Sequence, residues 1–360
     1  VLADLSGGPD PALELPHREL AAELGLAATV TAITDSGLEW GVAGELRAVG
    51  DGPTRLGHTG GLPACPASVP GCPTRVSRGA GLVPGLEGGG DAALIVEQAY
   101  GFVRHPLGEL RVGRDAGVAL RLGERAPDVF VFGAAGSPRL DPAGSGGVRV
   151  AHDLTGPAPK VSLTSRRLFA VRAGLSHTPD AESRGADFAP VPGRAPLTDV
   201  TEAVVQATHL LRGGDGLRLS ASIAVSEGNS REGDVRTWSA GATVEPGDWA
   251  LGLAWRRTED EARGTGRYTA LEAGLTRRVQ WAELPELTLG VTAARAEDTA
   301  SGLTASGWRA GVGVNLAPDW TLTAGWAEDR VESPAATGQS VTLRTRTARG
   351  PRLELRFTTD

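Results

Sequence analysis

The sequence predicts an all-β protein: a transmembrane antiparallel β-barrel of sixteen strands, formed as one domain over residues 1–360. Three observations predict it. Apolar and polar residues alternate with period two nearly from end to end. The apolar face is a thin coat of Ala, Val and Leu, with aromatics at only 4% of the chain. Such a coat suits lipid outside a barrel and is too slight to fill the roughly 10 Å core of a β-sandwich. Short and long connections alternate, as they do when tight turns occupy one rim and loops the other.

Composition narrows the alternatives. Gly is 51 of 360 residues without a G-X-Y period, which excludes collagen. Hydrophobic residues at 40% and charged residues at 22% are too balanced for a disordered chain. No run approaches 18 apolar residues, so no transmembrane helix is expected. The net charge of −7, from 36 basic and 43 acidic side chains, argues against nucleic acid as a partner. The absence of Met leads to the expectation that a targeting segment has been removed.

Taken in order, residues 1–17 (VLADLSGGPDPALELPH) are the weakest strand match. They must supply the sixteenth strand, because bacterial barrels are even-numbered. Fifteen others are expected near 19–32, 38–49, 92–104, 108–114, 158–165, 168–177, 199–212, 216–228, 235–245, 248–257, 267–280, 286–295, 304–316, 319–327 and 341–357. In the first, Leu24, Leu26, Ala28 and Val30 oppose Glu23, Gly25, Ala27 and Thr29. In the last, Val341, Leu343, Leu353, Leu355 and Phe357 oppose Arg344, Arg346, Arg352 and Arg356. Arg349 breaks that apolar face beside Gly350 and Pro351, where a bulge is expected. Long loops are expected at 50–90, 115–157, 178–198, 229–235, 258–266, 295–303 and 327–340.

Cys65 and Cys72 lie in the first of these loops. Two cysteines without neighbouring His or Asp ligands do not make a structural zinc site. A local disulfide, contributing about 2.5 kcal/mol, is expected in an oxidising compartment, with two free thiols as the alternative. Trp40, Phe102, Phe169, Trp249, Trp281, Trp320 and Phe357 each fall near a short turn or the C-terminus, as an aromatic girdle at the headgroup level requires.

Three hairpins carry a family resemblance: ELAAELGLAATVTAITDSGLEWGVAGELRA, IVEQAYGFVRHPLGELRVGRD and KVSLTSRRLFAVRAGLSHTPD. In order and spacing they resemble the general porins of Gram-negative outer membranes, particularly the alphaproteobacterial type, over roughly residues 17–357. The resemblance implies an outer-membrane homotrimer of sixteen-stranded barrels, each with its third long loop folded inward, passing ions and small hydrophilic solutes among outer-membrane lipids. By position, 115–157 would be that loop, with Arg114 and Arg166 as constriction arginines. Glu23 stands where the family has a third basic residue, and Glu124, Asp128 or Asp141 would supply the loop's acids.

The residues fit such a role independently. A water-filled channel needs a polar lumen and charge at a narrow point. By parity, Glu19, Glu23, Glu39, Glu45 and Glu97 point inward on early strands, while Arg172, Arg218, Arg278, Arg309, Arg344, Arg346, Arg352 and Arg356 do so on later ones. The segment APDVFVFGAAGSP within 115–157 gains nothing from its apolar residues in water but can bury them against a wall. By the same parity Arg114 shares the outer face of Leu110 and Val112, and reaches the lumen only if the strand ends at Gly113.

No enzyme is expected, and no cofactor or metal. The six His are scattered, Ser176-His177 lacks a nucleophile elbow, and no H-E-x-x-H occurs. Two other readings stand beside the general channel. One is a substrate-specific, anion-preferring channel using Arg344, Arg346, Arg352 and Arg356 as a ladder. The other is a secreted β-rich adhesin, which should show a fixed repeat that this chain lacks.

Overall fold

The computed structural model describes residues 2–4, 19–50, 69–71, 77, 93–140, 147–181, 197–211, 217–231, 233–261, 266–280, 285–337 and 339–358. Its strands are β1 (Leu2–Asp4), β2 (Glu19–Ile33), β3 (Glu39–Gly50), β4 (Ala93–His105), β5 (Gly108–Asp115), β6 (Ala158–Ser165), β7 (Val171–Asp180) and β8 (Thr198–Leu211). They continue with β9 (Leu217–Ser230), β10 (Gly233–Pro246), β11 (Trp249–Asp260), β12 (Gly266–Val279), β13 (Leu287–Asp298), β14 (Leu303–Ala317), β15 (Trp320–Thr337) and β16 (Ser340–Phe357). Each strand pairs antiparallel with its neighbours in sequence. The short β1 pairs with both β16 and β2, through Leu2 opposite Glu354 and Ala21, and so closes the barrel. Closure matters because a strand edge in lipid would leave backbone groups without partners.

Side-chain direction follows the period-two reading. Leu24, Leu26 and Val30 point outward and are about 70% exposed in the isolated chain, whereas Glu23 points inward. Ile223, Leu253 and Leu353 continue the outward apolar band on later strands. These residues have no protein partner to bury them, so lipid must cover them. Trp40, Trp249, Trp320 and Phe357 face outward near the short-turn rim, the last two rings in tilted contact with centroids 4.7 Å apart. Phe102 departs from the expected girdle: it points inward and is buried, its ring over Gly41 and under the Arg104 guanidinium. Phe169 is fully exposed at the tip of a short turn, and Trp281 lies outside the described residues.

Three expected long loops, 229–235, 295–303 and 327–340, are mostly strand, and of 258–266 Thr258–Asp260 and Gly266 are strand; these residues extend β9 to β16. In β15 and β16, Thr337 faces Ser340 across a tight turn. The alternation continues through these segments, but the outward residues become charged, which hid them from a search for an apolar face. Glu227–Arg236 (2.5 Å), Arg257–Glu259 and Arg330–Glu332 (2.5 Å) form ion pairs on this outer belt. Arg349 belongs to it, opposite Glu328, and β16 runs past it without the expected bulge. Cys65 and Cys72 lie outside the described residues. Ser77, from the same 50–90 segment, is buried against the rim, its backbone N–H donating to Asp298 at 3.1 Å.

Candidate functional site

The described parts of the third long loop, 116–140 and 147–157, fold into the lumen along its inner wall. The helix α1 (Val118–Leu122) buries Val118 and Leu122 against Val204 and Ala224 of β8 and β9. The Glu124 N–H then donates to Ser222 of β9 at 2.7 Å, and the Pro127 carbonyl accepts from Thr292 of β13 at 3.1 Å. Val129 and Phe130 are buried over Gly290, Gly311 and Gly313, while Val131 is 44% exposed. The loop tip is held by Glu354 of β16, whose carboxylate accepts from the N–H groups of Val131 (2.9 Å), Phe132 (3.2 Å) and Gly133 (2.7 Å). Arg309 and Arg352 donate to the Gly133 carbonyl at 2.9 and 3.1 Å.

Inner-wall glycines make this path possible. A Cβ on Gly241 would lie 2.1 Å from the Glu124 carbonyl oxygen, and one on Gly274 the same distance from that of Pro127. The returning segment packs Val148 and Val150 on Tyr268, Ala270, Ala294 and Ala305. The inner face of β11–β14 is therefore partly dry and apolar, where the sequence suggested a uniformly polar lining.

The loop reaches the opposite wall at Arg139, whose guanidinium pairs with Glu23 of β2 at 2.8 Å. Glu23 is also paired with Arg47 of β3 (3.2 Å), which reaches Glu97 of β4 at 3.2 Å and Glu45 at 3.6 Å. A second cluster stands at the loop's root. Arg111 pairs with Glu109 (2.5 Å) and Asp115 (3.1 Å), and Arg121 of α1 reaches the same Asp115 at 2.8 Å. Arg111 lies over the Tyr100 ring and Arg104 over Phe102, at 4.6 and 4.4 Å from the centroids, contacts that hold both guanidinium groups in place.

The sequence-expected residues divide accordingly. Glu23 stands at the crossing point of the loop. Glu124 lines the wall and accepts from the Gln206 amide at 2.9 Å. Arg114 stands on the outer register opposite Ala99, within a strand that continues to Asp115, and its Nε donates to the Val96 carbonyl. The inward neighbours Glu109 and Arg111 occupy the lumen position instead, and the alternation with Leu110 and Val112 already marked them. Arg166 sits in the turn between β6 and β7, far along the strands from the loop tip. Asp128 is turned into the loop, where it accepts from the N–H groups of Phe130 (2.9 Å) and Ala135 (3.0 Å). Burial pushes its pKa up. Asp141 lies outside the described residues.

Of the four arginines of β16, Arg352 is buried beneath the loop tip and Arg356 contacts Thr321 near the short-turn end. Arg344 and Arg346 stand opposite Ser333 and Val331. An unbroken ladder is thus interrupted at Arg352. Arg139 and Arg121 were not singled out from sequence, because each acquires its partners only when the loop folds back; Arg47 pairs with strand carboxylates, and its inward parity with Glu45 was the signal that could have found it.

His152 is buried between Ser226 and Ser239, each hydroxyl 2.7 Å from a ring nitrogen. Burial and the Arg256 charge hold its pKa down at about 3. Asp153 beside it accepts from the Gly156 N–H at 2.9 Å. Burial pushes Asp153 up to about 6, against the Lys160 and Arg256 charges and with help from Glu202. Between about pH 4 and 6 the folded pair therefore holds its proton on Asp153 and the unfolded pair on His152, so the pair contributes no pH slope to stability. D153N should leave His152 alone, so that stability falls as pH drops below 6.5. H152Q should leave Asp153 alone, so that stability falls as pH rises through 6. The swing should be on the order of 5 kcal/mol for D153N and about 3 kcal/mol for H152Q in the denaturant midpoint series. Identical pH slopes in the two variants would refute the compensation.

Comparison with known proteins follows the same outline. The anion-selective porin from Comamonas acidovorans is 16% identical, with 93% of this chain and 88% of that one covered and a TM-score of 0.54. OmpT of Vibrio cholerae, in its trimer form, is 11% identical over 94% and 96%, at 0.53. The outer membrane channel DcaP of Acinetobacter baumannii is 11% identical over 93% and 84%, at 0.51. At such identities these likenesses speak for the fold alone, and a search of curated proteins finds no match. The family profile described as Gram-negative porin matches residues 17–333. With that match across a closed barrel and its inward loop, the chain belongs to the Gram-negative porin family, outer-membrane channels for passive diffusion of ions and small hydrophilic solutes.

Proposed function

We propose that ions are sorted where the third loop crosses to β2, between the Glu23–Arg47–Glu97–Arg139 cluster and the Glu109–Arg111–Asp115–Arg121 cluster. The observation that carries this reading is the Arg139–Glu23 ion pair, which ties the loop to β2, beyond its apolar anchors on β13 and β14. Opposite charges set around a narrow, low-dielectric passage favour hydrated polar solutes and weight the two ion signs by the local balance. Glu45, Glu97 and Arg139 keep their side chains 19–37% exposed, so they act on the passing ion rather than on the wall.

R139Q should shift the reversal potential in a KCl gradient toward cations, changing the permeability ratio roughly two- to threefold, and E97Q should shift it the other way. Unchanged reversal potentials in both would place the narrowing elsewhere. An anion-preferring channel is a second reading, supported by exposed arginines at the short-turn mouth and by the shared outline with the anion-selective porin of Comamonas acidovorans. The sign of the wild-type reversal potential separates the two. The channel is read as a homotrimer, in line with the trimer form of the Vibrio cholerae protein. The uncharged outer band of Leu24, Leu26, Val42, Leu110 and Val112 on β2, β3 and β5 is the face that would meet a second copy.

A further inference from the structure

A cleft of about 370 Å³ opens inside the barrel at the short-turn rim, away from the loop crossing. It is lined by Arg104, Arg166, Arg167 and Arg172, with Glu109, Thr164 and Ser165. Its charge balance is lopsided. Arg104 is committed to Glu109 at 2.5 Å and Glu39 at 2.7 Å, and Glu109 is shared with Arg111. Arg166 and Arg167 are exposed and have no carboxylate within ion-pair distance among the described residues. Arg172, half-buried, donates only to the Thr164 hydroxyl, at 3.4 Å. Three guanidinium groups are thus left in surplus in one concavity.

The cleft is held rigid. The Arg166 N–H donates to the Leu107 carbonyl at 2.9 Å, tying the two neighbouring turns together. Ser165 Oγ accepts from the Ala173 N–H at 2.9 Å. A Cβ at Gly108 would lie 2.3 Å from the Thr164 carbonyl oxygen, so glycine is what lets the β4–β5 turn close on β6.

We propose that this cleft binds small polyvalent oxyanions, solutes carrying a phosphate or several carboxylates, at the short-turn mouth of the channel. Planar guanidinium forks match the paired oxygens of both groups, and converging unpaired forks favour multiply charged anions over chloride. The site rests on the reading of the chain as a channel and lies outside the narrowing that sorts ions in that reading.

The test is block of single-channel KCl current by citrate and, separately, by pyrophosphate, added to one side at constant ionic strength. The short-turn side is marked by streptavidin capture of a biotin on S36C in a C65S/C72S background. Half-block is expected at concentrations at least tenfold lower from the short-turn side than from the loop side. R166Q/R167Q should raise the half-blocking concentration at least tenfold, and R166K/R167K, which keeps charge without the fork, should fall between. Block by citrate alone would assign the site to carboxylates, and block by pyrophosphate alone to phosphates. Equal block from both sides, or block unchanged in R166Q/R167Q, would overturn the proposal while leaving the channel reading intact. Absence of KCl conductance would overturn the channel reading itself.

Discussion

Replacing Glu354 by alanine should free the tip of the third loop, raising unit conductance and current noise together. Its carboxylate serves three consecutive backbone N–H groups and stands beside Arg352. Hydrogen bonds to a charged acceptor contribute about 1.5–3 kcal/mol each, and their loss strands donors in a dry place. No other described side chain is hydrogen-bonded to those three amides, so the tip has no second anchor of the same kind. E354Q keeps the volume and one acceptor oxygen, and should give an intermediate channel. Wild-type conductance and noise in E354A would mean that the buried Val129 and Phe130, with Arg309 and Arg352 on the Gly133 carbonyl, hold the tip without it.

The second large effect is expected at Gly274. A valine there cannot coexist with the Pro127 carbonyl 2.1 Å from its Cβ, and that carbonyl is already fixed by Thr292. Because backbone and not a flexible side chain is in the way, the loop must lift off β11–β13 or the strand must bend. Overpacking of this kind costs on the order of 1–3 kcal/mol and removes the seat of the loop. G274V should therefore lower the thermal stability of the detergent-solubilised barrel and alter its conductance. Gly25, also on the inner register, has open space around it, and G25A should change neither. Equal behaviour of G274V and G25A would show that the loop does not depend on that close approach.

The strands were legible because lipid enforces a rule at every second residue. Leu24, Ile223 and Leu353 announce their direction without reference to any distant contact. Even the short β1 followed from the need for an even count. The inward tuck of the third loop was legible in its Val and Phe residues, two of which are buried. Legibility ended where polar groups choose partners across the lumen. Asp128 looked like a constriction acid and is a staple within the loop. Arg352 looked like a rung for anions and holds a carbonyl of the loop tip. Arg114 was placed at the narrowing by family position, while its own parity put it outside, and parity prevailed because the ladder between β4 and β5 keeps register up to that residue. The glycine seats carried no signal beyond a high glycine count, since what they accommodate lies more than a hundred residues away in the chain.

The ion-paired belt on the outer surface has a consequence for the membrane. Leu219, Trp249 and Trp320 near the short turns each precede an outward charge, Glu227, Arg257 and Glu328, by eight residues on the same strand. At about 3.3 Å per residue and a tilt near 40°, eight residues climb roughly 20 Å. The greasy height of this half of the barrel is therefore short of the roughly 30 Å hydrocarbon of an average bilayer. Lipids beside β9–β16 must compress to meet it, at a cost of fractions of a kcal/mol per Å of mismatch. The barrel is fitted to a thin leaflet pair, and bilayers of short-chain lipid should admit it faster than those of long-chain lipid.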